Sequence, residues 1–200
     1  MLAVDASGSV NMPRFFLQRD GYAAAFRHKA VQSAIRNTAT GSIATMMLQW
    51  TGPAMHVIAV DWTLIDSDGA SDRFAAAIDM APRELFGGGT SLSGAIDFSA
   101  RQFARCAFPA ERRTIDISGD GANNRGRPAG DARDQAVAAG IVINGLPILA
   151  LEPRLDTHYR DHVIGGDGAF LIAATSFEEF AQAIRRKLIT EIAGLSHATG

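Results

Sequence analysis

Between Val4 and Val10 the chain reads VDASGSV, an apolar run that ends in a carboxylate and then sets two hydroxyls, Ser7 and Ser9, at alternate positions. Alternate residues of an extended segment point the same way, so Asp5, Ser7 and Ser9 present three oxygens to one side as the chain leaves a strand. Gly8, between the serines, leaves the backbone free to bend sharply. Two later stretches carry matching chemistry: ELFGGGTSL delivers Thr90 after three glycines, and SGDGANN delivers Asp120 between Gly119 and Gly121. Carboxylates and hydroxyls, without imidazole or thiolate, are the donor set that a hard cation such as Mg2+ selects. Each piece alone has a plainer reading, as an Asx turn with a helix cap, a threonine-capped loop or a turn. GGGTS is not a phosphate-binding P-loop, because no lysine follows the glycines. The conjunction of all three, each at a strand end or helix start, points to one cation site built from Asp5, Ser7, Ser9, Thr90 and Asp120.

The framework around these residues is read from periodicity. LAVD, GSIATMMLQWTG, MHVIAVDWTLI, RRTIDISG, IVINGLPILAL and AFLIAAT read as strands, the second and third as a hairpin across Thr51 to Ala54. Helical spacing runs through NMPRFFLQRDGYAAAFRHKAVQSAI, with Phe15, Phe16, Tyr22, Phe26, Val31 and Ile35 as apolar positions, Asn11 as cap and Pro13 in the first turn. Further helices are expected in DRFAAAIDMA, SLSGAIDFSARQFARCAF and GDARDQAVAAG, with a possible short one in LDTHYRDHVIGGDG. A last helix, FEEFAQAIRRKLITEIAGL, has Ser176 as cap and Glu179 completing a capping box. Strands alternating with helices predict an α/β, doubly wound, mainly parallel sheet with helices on both faces and one antiparallel edge strand, Met55 to Val60. Such sheets bind ligands at the carboxyl ends of their strands, where strand order reverses.

Composition bounds the rest. The 200 residues suit one core, as expected of chains up to ~250 residues, and no linker or repeat interrupts them, so a single domain over 1–200 is expected. A net charge of −2 gives no electrostatic reason to expect nucleic acid. The lone Cys106 excludes an internal disulfide and reads as a buried small hydrophobe in the helix beside Phe103 and Ala107. No apolar run reaches the ~18 residues of a membrane span. Met1 stands almost inside the first strand, which predicts a truncated N-terminus and leaves export open. Asp116, mid-strand, needs a buried partner near the site. Asn123 and Asn124 read equally as turn formers or as shapers of the rim, and Asn144 and Pro147 are expected to shape it. The run Arg185 to Lys187 reads as a solvated helix face. His28, His56, His158, His162 and His197 lack metal-ligand spacing.

The ordered set Asp-x-Ser-x-Ser, then Thr, then Asp-Gly resembles the metal-ion-dependent adhesion site of von Willebrand factor type A domains. More narrowly, LAVDASGSV, QRDGYAAAFR, RRTIDISGDGANN, INGLPI, VIGGDGAF and AIRRKLITEI resemble the bacterial family numbered 1194 among domains of unknown function, over residues 2 to 192. The resemblance implies Mg2+, or Mn2+ or Ca2+, held by Ser7, Ser9 and Thr90, with Asp5 and Asp120 bound directly or through water. It implies an open coordination position for the acidic side chain of a protein partner, and a periplasmic or secreted location. In one place the chain departs from the pattern: Gly119 occupies the position where type A domains usually carry a threonine, and Ser118 or Asn123 is expected to supply the missing hydrogen-bonding group. The expected function is metal-dependent protein binding rather than catalysis. A Mg2+-dependent hydrolase of phosphate esters, or a structural domain with a non-functional metal site, are the alternatives.

Overall fold

In the computed structural model, which describes residues 1–194, the near-continuous apolar runs become strands: β1 (Leu2–Asp5), β2 (Ile43–Trp50), β3 (His56–Ile65), β4 (Arg113–Gly119) and β5 (Ile141–Pro147). They form one sheet in the order β3-β2-β1-β4-β5. All neighbours are parallel except β2 and β3, so β3 is the antiparallel edge strand and runs five residues beyond Val60, to Ile65. The chain winds outward from β1 to β3 and then returns to β4 on the other side of β1. Strand order therefore reverses between β1 and β4, and that is where a crevice opens in this architecture.

Alternation along the strands feeds two cores. Leu2, Val4 and Met47 face α1 (Met12–Arg27), α2 (Lys29–Arg36), α3 (Asp68–Met80) and α7 (Phe180–Gly194), packing with Tyr22, Phe26, Phe74 and Ile184. Ala3, Met46, Leu48 and Trp50 face α4 (Leu92–Gln102), α5 (Ala129–Ala138) and α6 (Leu155–His162), packing with Ile96 and Tyr159. Asn11 caps α1 by accepting from the Arg14 N–H, and Pro13 sits in its first turn.

Several local expectations are corrected. The first helical stretch breaks at His28, which has extended dihedrals and caps α2 through its own Nδ1, and Phe16 is exposed. AFLIAAT makes only isolated bridges to β5, at Leu171 and Ala174, so it covers the sheet edge without a continuous ladder. The last helix begins at Phe180, with the Glu179 carbonyl accepting from the Gln182 and Ala183 N–H groups, and the Glu179 carboxylate accepts from the Thr175 hydroxyl at 2.6 Å instead of closing a box with Ser176. α4 gives way to a 3-10 turn at Phe103–Arg105, ahead of Pro109, which a helix could not include without losing a bond. That leaves Cys106 half-buried outside the helix and Ala107 exposed.

The largest correction concerns Lys187, which is fully buried rather than solvated. Its Nζ lies 2.7 Å from Asp116 Oδ1 and 3.2 Å from Glu191 Oε2. Glu191 also accepts from Asn144 Nδ2 at 3.0 Å, and Asn144 Oδ1 accepts from the Phe170 N–H. This polar cluster ties α7 to β4 and β5. Asn144 is therefore a buried strut, and Pro147 is buried too, so neither shapes a rim.

Removing one member of a buried pair strands the other charge. Lys187→Met should lower unfolding stability by ~3–5 kcal/mol, and the double variant with Asp116→Asn should recover part of it, measured as a double-mutant cycle in denaturant. Gly21 makes a second case. An added Cβ there would lie 2.8 Å from the Phe180 ring and 3.2 Å from Ala181 Cα. Gly21→Ala should gain ~1 kcal/mol of helix propensity yet lose ~1–3 kcal/mol to overpacking, so the melting temperature should fall.

Candidate metal centre

Asp5 ends β1, and its Oδ1 accepts from the Ser7 N–H at 2.7 Å, which turns the chain immediately after the strand. Ser7 Oγ and Ser9 Oγ then lie 3.2 Å apart, and Ser9 donates to Asp120 Oδ1 at 2.6 Å. Asp120 follows the last residue of β4, and its N–H points at Asp5 Oδ2 at 3.4 Å. The loops after the two parallel strands are thus joined side chain to side chain at the reversal point.

Thr90 arrives from elsewhere. Gly87, Gly88 and Gly89 all have left-handed φ, 77°, 89° and 77°. A Cβ at Gly88 would also lie 2.7 Å from Thr51 Oγ1, so this loop demands glycine twice over. Asn124 fixes Thr90 by accepting from its N–H through Oδ1 at 2.9 Å and donating its own N–H to the Thr90 carbonyl at 2.9 Å. Asn123 likewise accepts from the Ser93 N–H, holding the start of α4. Ser7, Ser9, Thr90 and Asp120 line one cleft of about 230 Å3, and Asp5 lies buried behind them.

Burial, reinforced by the neighbouring Asp120 carboxylate, pushes the Asp5 carboxyl up to about 7. Burial also pushes Asp120 up, against the opposing pull of Ser9 and Arg14. Among the described residues Asp120 Oδ2 is buried and accepts no hydrogen bond, and it forms a long ion pair with Arg14 Nη1 at 3.8 Å. A buried carboxylate oxygen is costly unless it is paired. The lining oxygens suit a hard cation. Among the described residues no three His, Cys, Asp or Glu side chains converge as a metal cluster, so a cation here would depend on the hydroxyls.

Other groups at the site had weaker sequence signals. Arg83 donates to the carbonyls of Ala6 at 3.0 Å and Ser7 at 3.1 Å, bracing the first loop while it stacks on exposed Phe86. Leu151 and Glu152 form another wall. At Gly119 an added Cβ would lie 2.9 Å from Asp5 Oδ2 and 3.1 Å from the Tyr159 hydroxyl. No side chain fits there, and neither expected substitute fills the role: Ser118 pairs with the Tyr22 hydroxyl and Asn123 with Ser93. The hydroxyl nearest this gap is that of Tyr159, which α6 supplies and which has no hydrogen-bond partner among the described residues. His158 accepts from the Asn123 N–H at 3.4 Å, with His162 beside it, and His197 lies outside the described residues.

Solved structures share this arrangement of strands and helices. Proximal thread matrix protein 1 from the mussel byssus superposes with a TM-score of 0.71 at 13% identity, over 96% of this chain and 46% of that one. A structure of the same mussel protein with a zinc-occupied adhesion-site motif superposes at 0.63, with 12% identity over 98% and 47%. A von Willebrand factor type A protein from Catenulispora acidiphila superposes at 0.58, with 15% identity over 98% and 42%. The chain spans less than half the length of these proteins, and what it shares with them is the fold of von Willebrand factor A domains. Comparison with curated protein sequences finds no match. Residues 1–196 match the family described as "Protein of unknown function (DUF1194)", and the chain belongs to that family.

Proposed function

We propose that this protein is a cation-dependent protein-binding module, in which Asp5, Ser7, Ser9, Thr90 and Asp120 hold Mg2+, or Mn2+ or Ca2+, and the bound ion captures an acidic side chain of a partner protein. The observation that carries this reading is the buried Oδ2 of Asp120, which has no hydrogen-bond donor among the described residues, on a residue that lines a cleft with three hydroxyls. A divalent ion would add positive charge beside two buried carboxylates whose nearest ion pair is the long 3.8 Å contact of Asp120 with Arg14. Because neutral hydroxyls leave that charge largely unquenched, an incoming carboxylate is the favoured outer ligand. Ser7 and Ser9 would present oxygens from a loop braced by Arg83, and Thr90 from a loop that Asn124 holds in register. Asp5 sits behind them and would act through the Ser7 turn or through water.

A protein partner is further supported by apolar side chains left in solvent near the cleft. Phe86 is 62% exposed and Leu151 49% exposed, the latter on the cleft wall. The zinc-occupied motif of the mussel protein makes a divalent ion a natural candidate here as well.

Titrating Mg2+ should raise the melting temperature progressively, by an amount equivalent to about 2.7 kcal/mol when the ion reaches a hundredfold excess over its dissociation constant. Asp120→Ala should melt at a temperature independent of Mg2+. An equal rise in both proteins would remove the site. A Mg2+-dependent turnover of phosphate esters that Asp5→Ala abolishes would replace binding by hydrolysis as the function.

A further inference from the structure

One carboxylate at the cleft has no part in the proposed cation set. Glu152 follows β5 in the loop before α6 and is solvent-exposed. It lines the same cleft as Ser7, Ser9, Thr90 and Asp120. Both its oxygens share a single donor, the Ala122 N–H, each at 3.2 Å. A carboxylate can accept about four hydrogen bonds, so one long, divided bond leaves it poorly satisfied by the protein. Its direction matters as well. A Cβ added at Gly121 would lie 3.4 Å from Thr90 Oγ1 and 3.5 Å from Glu152 Oε1, so these two oxygens flank the same small volume, kept open by a glycine. The charge of Glu152 reaches the cleft floor, where it works to raise the Asp120 carboxyl.

Resting on the cation reading above, we propose that Glu152 is an internal carboxylate ligand that takes the position a partner's acidic group would enter, so that the partner binds by displacing it. An under-coordinated divalent ion at the hydroxyls draws in the nearest free carboxylate, and in this chain that is Glu152. Leaving its present position breaks one shared hydrogen bond, and the side chain, being exposed, turns without disturbing packing. Glu152 thereby adds charge to the ligand set, which tightens cation binding. It also lowers the fraction of protein open to an outside carboxylate, and partner affinity falls by that fraction. Asp120, buried at the cleft and with no hydrogen-bond donor on Oδ2 among the described residues, is the fixed end toward which the ion and then Glu152 are drawn.

The two effects have opposite signs, which local damage to the loop would not produce. Mn2+ alone is titrated calorimetrically into the parent, Glu152→Ala, Glu152→Gln and Asp120→Ala proteins. Acetate is then titrated into each Mn2+-loaded protein while water-proton relaxation follows the waters left on the ion. Glu152→Ala and Glu152→Gln should weaken Mn2+ by about tenfold or more, carry an additional exchanging water, and bind acetate several-fold more tightly than the parent. If the parent takes Mn2+ and Asp120→Ala does not, while both Glu152 variants bind Mn2+ as the parent does, the role of Glu152 is refuted and the cation site stands. Weaker Mn2+ binding without tighter acetate binding would also refute the displacement. Failure of the parent to bind Mn2+ at all would overturn the cation reading and this inference together.

Discussion

Two buried carboxylates stand four residues apart, one within β4 and one just past its end, and the arrangement of the protein turns on how each is neutralised. Asp116 meets Lys187 at 2.7 Å, with Glu191 and Asn144 completing a cluster beneath α7. Asp120, one step beyond the end of β4, has Ser9 on one oxygen and on the other, among the described residues, only the long ion pair with Arg14. A buried anion is costly unless it is paired. The first is closely paired by α7, and the second has only the long 3.8 Å pairing of Arg14 on α1 and lines an open cleft. The same strand thus carries a close ion pair that fixes α7 and leads into a looser one at the cleft.

Topology explains why the looser one lies where it does. Only at the reversal between β1 and β4 do two adjacent parallel strands send their following loops in opposite directions, leaving room between them. Asp5 and Asp120 end or follow those two strands, and Ser9 bridges them with a bond of 2.6 Å. Thr90 belongs to neither strand. It reaches the cleft because a left-handed glycine run folds tightly against Thr51 and because Asn124, four residues after Asp120, holds its backbone. The asparagine of the third loop thus acts on the threonine loop, so the two are built as a unit.

The gap at Gly119 shows the same economy of space. Asp5 Oδ2, the Tyr159 hydroxyl and the Trp50 ring crowd the position where a Cβ would stand. A threonine there would collide with the carboxylate it is meant to support. The hydroxyl closest to that position comes from α6, whose preceding loop also brings Glu152 to the cleft wall. The far end of the sheet, β5 together with its loop and α6, therefore takes part in the site in a way that its own sequence gives little sign of.

The layered α/β architecture, the antiparallel edge strand and the five candidate oxygen donors are all legible in the amino-acid sequence, because each rests on local pattern: apolar periodicity, or residue types at a strand end or helix start. The sequence also contains more than its surface reading yields. Position 187 falls on the apolar stripe of Phe180, Ile184, Leu188 and Ile192, but a lysine there reads as solvated until its partner on β4 is known. Which parallel strands lie beside which, where a helix breaks, and which exposed carboxylate stands at the cleft emerge only in three dimensions. Those depend on register and contact between residues such as Ser9 and Asp120, 111 positions apart. Such contacts are made by the packing of the whole sheet and its helices, and no window of sequence contains both partners.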